Sequence, residues 1–177
     1  MIYFNKFLIR ITVMADGWLI AVISIVFIFC FILCAATFYF NYRKKGYIKK
    51  KIKGLANNAL ELTPEEFFEL RKTSFGGKGS PYYALKYNFS GVYILYNTTK
   101  NMYYVGQGKE ILNRVNSHFT GKGNGDVYAD YKYGNLFTIK MIALEKSGFK
   151  TLNELERNTI ATYESFAAGY NKTRGNK

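Results

Sequence analysis

The chain has 177 residues, is 49% hydrophobic, and carries 25 Lys and Arg against 12 Asp and Glu, a net charge of +13. That length holds one modest domain plus something else. Both cysteines, Cys30 and Cys34, sit as small fillers in one apolar stretch, so the rest shows neither a disulfide framework nor a cysteine zinc site.

Residues 1–17 are a short mixed apolar and basic lead, and Met14 is a second candidate start. From 18 to 40 the sequence WLIAVISIVFIFCFILCAATFYF carries no charge. As a helix it is about 34 Å long, enough for a hydrocarbon core of about 30 Å. Trp18 at one end and Phe38, Tyr39, Phe40 and Tyr42 at the other resemble aromatic belts. A cleaved signal peptide fits less well, because its apolar region is shorter and only Ala35-Ala36 hints at a cleavage site. The expectation is a single transmembrane helix over 18–42.

Arg43, Lys44, Lys45, Lys49, Lys50, Lys51 and Lys53 follow at once. That bias predicts a cytoplasmic C-terminal side and a single-pass protein of the cell membrane. The same run suits anionic lipid headgroups; contact with DNA is the weaker reading. Residues 43–87 read as a basic juxtamembrane and helical linker. Within it, Thr63 is an N-cap, Pro64 the first helical residue and Glu66 the far side of a capping box, with the helix ending near Lys72. Phe75 to Pro81 is a glycine-rich break without the P-loop pattern, so a plain linker.

The domain is expected over 88–177. Two β-branched and aromatic runs flank the polar segment from Asn97 to Asn101, the pattern of a β-hairpin. A turn centred between Thr98 and Thr99 would set Tyr93 directly opposite Tyr104. Ile111, Leu112, Val115 and Phe119 repeat with helical spacing, and Arg114 and His118 share one face of that helix. A glycine-rich loop, 121–126, leads to Tyr128, Tyr131 and Tyr133. These suit a nucleic-acid groove by stacking, and packing explains them equally well. Residues 136–144 read as a third strand. The last helix, 152–166, carries Glu156, and Asn171 follows fifteen residues later.

At this point the chain resembles the GIY-YIG nuclease superfamily. The name-giving motifs stand here as Gly91-Val92-Tyr93 and Tyr104-Val105-Gly106, and Arg114, His118, Glu156 and Asn171 follow in the family's order. The resemblance implies an α+β fold, a small three-stranded antiparallel sheet flanked by helices, preceded here by the transmembrane helix. It implies that Glu156 holds one Mg²⁺ or Mn²⁺ ion, a hard cation that keeps most of its waters and suits a lone carboxylate. Glu154, about 200° away round the helix, cannot face the same site. Tyr93 would position or deprotonate the attacking water with Tyr104 in support. A phenol of pKa about 10 needs nearby positive charge for that role, which Arg114 and the metal would supply. Arg114 would also grip the scissile phosphate. His118 would shuttle a proton or hold phosphate, and Asn171 would be structural or touch phosphate. No recognition region follows the fold, so low sequence specificity is expected.

Taken singly these residues mean little. Sixteen tyrosines make any Tyr pair cheap, a lone helical His is usually a surface residue, and a helical Glu is usually solvated. In order they point to a membrane-anchored, metal-dependent endonuclease acting on DNA, with RNA left open. The positive charge suits such a polyanion. The expected role is action on phage or mobile-element DNA entering at the membrane. Processing of DNA for uptake or transfer, and a catalytically inactive nucleic-acid-binding membrane protein, stand as alternatives.

Overall fold

The structure is a computed structural model that describes residues 2–73 and 87–176, with side chains from residue 18 onward. The glycine-rich break expected at 75–81 lies outside the described residues. The chain divides into two compact units, Met1–Tyr47 and Ile48–Lys177. The helix α1, Ile2–Asn57, supplies the described residues of the first and the opening of the second.

In the first unit α1 is long and apolar enough to cross a membrane by length and composition, with a window of mean hydropathy 3.1. None of that window is buried within the structure. Trp18, Phe27, Phe31 and Phe38 are each more than 70% exposed. Cys30 and Cys34 are free and exposed on it.

The second unit is built on a four-stranded antiparallel sheet, one strand more than the sequence suggested. The strands are β1 (Glu61–Leu62), β2 (Gly91–Asn97), β3 (Met102–Gly108) and β4 (Phe137–Ala143), in the order β1-β4-β2-β3. The extra strand is two residues long, too short to show an alternating pattern. It pairs Glu61 with Lys140, and their side chains meet at 3.3 Å. β2 is central and nearly all buried, which explains its unbroken apolar run. α2 (Pro64–Lys72) begins with the expected capping box, Thr63 N–H donating to Glu66 Oε2 at 2.8 Å.

Helices cover both sheet faces. On one, α2, α3 (Ile111–Phe119) and α4 (Gly125–Lys132) enclose Phe67, Tyr93, Leu95, Leu112, Phe119 and Ile139. On the other, the end of α1 and α5 (Leu152–Tyr163) enclose Ala56, Val92, Ile94, Val105, Leu155 and Ile160. The segment read from sequence as a linker therefore contributes to the domain. Ile52 and Ala56 are fully buried, an i,i+4 apolar pair hidden in the sequence among lysines. α4 is a helix where a tyrosine-rich segment was expected. Asn124 caps it, and Tyr131 packs edge-on against Phe119 at 5.0 Å, so for that ring packing prevails over a groove.

Candidate active site

The hairpin register differs from the expected one by two residues. The last pair is Asn97 with Met102, leaving a four-residue loop in which Asn101 takes a left-handed conformation (φ 54°), one that Asn tolerates better than most residues. Tyr93 consequently faces Gly106, and Tyr104 faces Leu95. A shift of two preserves which face each side chain takes, so the phenols remain neighbours on the diagonal, ring centroids 6.1 Å apart. The register also explains Gly106: a Cβ there would collide with the Tyr93 hydroxyl. Gly91 is constrained in the same way by the Ile142 carbonyl on β4.

α3 brings Arg114 and His118 to this face. His118 is buried, and its Nε2 lies 2.7 Å from the Tyr93 hydroxyl. On the other side of the ring, Asn124 N–H donates to Nδ1 at 2.8 Å, where the loop passes so closely that Gly123 has no room for a side chain. An Nδ1 that accepts a hydrogen bond leaves the proton of the neutral ring on Nε2. His118 therefore donates to the Tyr93 oxygen, and the phenol keeps its own proton to give elsewhere. Burial, reinforced by Arg114, lowers the His118 pKa to about 4, so the ring is neutral at physiological pH.

Burial pushes the Tyr93 phenol up, Tyr104 adds to this, and Arg114 opposes both. The expectation that positive charge would lower Tyr93 is thus reversed for the protein's own groups, because desolvation of a fully buried phenol outweighs one exposed guanidinium. Tyr104 is raised by burial too, against the Tyr93 hydrogen bond and Arg114. Arg114 is exposed, its stem lying over Gly108, and its charge acts on Tyr93, Tyr104, His118 and Glu156 alike.

Glu156 comes from the other sheet face, on α5, and the site closes around β3, which is an edge strand. Glu156 is 8% exposed as a residue. Its Oε2 accepts from Gln107 Nε2 at 3.1 Å and from Asn176 N–H at 3.3 Å. Burial raises its pKa, against those two bonds and Arg114. Glu154 is occupied elsewhere: Lys150 N–H donates to its Oε2 at 3.2 Å, and its own N–H donates to the N-cap Thr151. Asn171 faces the outer edge of β3, accepting from Val105 N–H at 2.9 Å and donating to the Val105 carbonyl at 2.8 Å. Its amide stands in for a missing neighbouring strand, which is a structural task.

Tyr93, Tyr104, Arg114, His118 and Glu156 thus gather at one place, while Asn171 supports the strand that carries two of the motif residues. Sequence reasoning missed Gln107 and Asn124. Gln107 left a trace, since it is polar on a strand face it shares with buried Val105; a backbone donor such as Asn124 leaves none.

Among the described residues no group of three or more His, Cys, Asp or Glu is placed to hold a metal ion. A single carboxylate is nevertheless a fitting donor for a hydrated hard cation. Glu156 is nearly buried and has no ion pair among the described residues, Arg114 acting on it only from beyond contact, so its carboxylate can take a cation.

Residues 89–171 match the GIY-YIG catalytic domain family. That match spans just under half of the chain. The match supports a GIY-YIG type endonuclease. Among solved structures, the catalytic domain of intron endonuclease I-TevI, in a point-mutant form, is similar at 28% identity, covering 49% of this chain and 96% of that one with a TM-score of 0.38. No curated protein matches.

Proposed function

We propose that the protein is a membrane-anchored, divalent-metal-dependent endonuclease that hydrolyses phosphodiester bonds in DNA near the membrane. The observation that carries this is the convergence of Tyr93, His118, Arg114 and Glu156 around β3 in a GIY-YIG catalytic domain. Arg114, exposed beside the two phenols, binds the scissile phosphate and offsets the charge that grows on it. Tyr93 points its own O–H proton away from His118 and holds the attacking water. The His118 Nε2–H donated to the Tyr93 oxygen holds the phenol in that orientation. Glu156 would hold Mg²⁺ or Mn²⁺, which when bound supplies charge neutralisation and help for the leaving oxygen. The net positive charge suits a DNA backbone.

Anchoring rests on the uncharged apolar run and the seven Lys and Arg that follow it, which direct the domain to the cytoplasm. Confinement raises effective concentration towards DNA at the bilayer. Genomes injected by phage and strands arriving by conjugation or transformation are there, so restriction by location is the proposed role.

The decisive experiment incubates the full chain in detergent with plasmid and Mg²⁺, with EDTA and Glu156→Gln as controls. Cleavage lost in both controls supports the reading; cleavage retained by Glu156→Gln moves the metal elsewhere. In cells, the anchored enzyme should reduce phage infection more than residues 47–177 released into the cytoplasm. A fall in DNA transfer on Glu156→Gln substitution would favour the uptake reading instead.

A further inference from the structure

β3 serves both faces of the sheet. Tyr104 and Gly106 point to the α3 side; Gln107, one residue further, points with Val105 to the α5 side. There its side-chain amide nitrogen donates to two acceptors at once, Asn153 Oδ1 at 2.8 Å and Glu156 Oε2 at 3.1 Å. An amide nitrogen carries two hydrogens, so both are used. The two acceptors stand at i and i+3 on the first turns of α5, on one face of the helix. A carboxylate on a flexible stem has several rotamers open to it, and a donor anchored at a second point restricts it to one.

We propose that Gln107 is a positioning residue for Glu156: its amide, tethered on Asn153, fixes the carboxylate in the orientation that receives a divalent cation. This rests on Glu156 being the metal-binding residue, as read above. Among the described residues both donors to Glu156, Gln107 Nε2 and Asn176 N–H, land on Oε2, so Oε1 is the oxygen that would be left for a cation. Gln at this place does what no close relative of it can. Met keeps the length and loses the donors, Glu sets a second negative charge against the first, and Lys offers Glu156 a permanent ion pair in place of the cation.

The test is Mn²⁺ binding to the full chain in detergent, followed by electron paramagnetic resonance, beside the Mg²⁺ dependence of plasmid cleavage. Gln107→Met should weaken Mn²⁺ binding about 10- to 100-fold, the range for losing a partner of a metal ligand. Its cleavage should recover at saturating Mg²⁺, raising the Mg²⁺ requirement more than it lowers the maximal rate. Gln107→Lys should abolish Mn²⁺ binding while its melting temperature holds or rises, an outcome that a merely structural role does not give. Wild-type Mn²⁺ affinity in either folded variant overturns the proposal. Glu156→Gln, run alongside, separates the two levels: if it too binds Mn²⁺ like wild type, the metal assignment itself fails.

Discussion

His118 meets Tyr93 through Nε2 at 2.7 Å while Asn124 N–H holds its Nδ1. Both ring nitrogens are committed, and the arrangement is coherent only for a neutral ring with its proton on Nε2. His118 is therefore a donor to Tyr93, and it cannot accept the Tyr93 proton without first losing its own.

This fixes a pH dependence. The folded-state pKa of His118 is about 4 against an ordinary value of 6.5, so between those values the unfolded chain binds a proton that the folded one refuses. Stability then falls as pH drops from about 6.5 to about 4, by up to roughly 3 kcal/mol. Above pH 6.5 the contribution is constant. Melting curves of wild type and His118→Gln across that window check it: the difference between them should shrink as pH falls, and a constant difference would contradict the tautomer assignment.

Arg114→Ala should lower the cleavage rate about 10²- to 10³-fold, the usual loss for a group aimed at transition-state charge. Because the side chain is exposed, its stability should change by no more than about 0.5 kcal/mol. Single-turnover cleavage and urea unfolding measure the two separately.

Gly106→Ala puts a methyl group where the Tyr93 hydroxyl lies. The core on that side is closed, so the cost should be about 1–3 kcal/mol of overpacking. Cleavage should fall with it, since Tyr93 must move away from His118. A urea midpoint equal to wild type would mean that the strands part without cost.

Asn171→Ala leaves both backbone groups of Val105 without the partner that Asn171 supplies. The expected loss is about 1–3 kcal/mol, seen as a lower urea midpoint. Cleavage measured well below that midpoint should be reduced far less than in Arg114→Ala. An equal loss of rate with unchanged stability would assign Asn171 to the reaction instead.

The residues of the candidate site were legible from the two short motifs and from the order in which Tyr93, Arg114, His118 and Glu156 follow one another. The hairpin itself was legible from its alternation, but its register was not. A four-residue loop closing on a left-handed Asn101 competes with a two-residue turn, and the local sequence serves either. β1 was hidden because two residues have no period. Ile52 and Ala56 were hidden because the lysines around them gave a louder signal than one buried i,i+4 pair. Gln107 could be found only once β3 and α5 were seen together, since its partners lie 46 and 49 residues away.

The outer edge of β3 is closed by a segment that lies far along the chain. Val105 N–H waits for Asn171, sixty-six residues later, and the Tyr103 carbonyl waits for Tyr170 N–H at 2.9 Å. A ribosome therefore delivers the whole reactive set, Tyr93 through Glu156, before it delivers the residues that seal the strand carrying Tyr104. Until then a nascent chain offers an open strand, which invites pairing with another chain. A product clipped between 157 and 168 would be caught in that state permanently, with every reactive residue present. Such fragments should self-associate, so loss of this late segment should lower activity even with Glu156 in place.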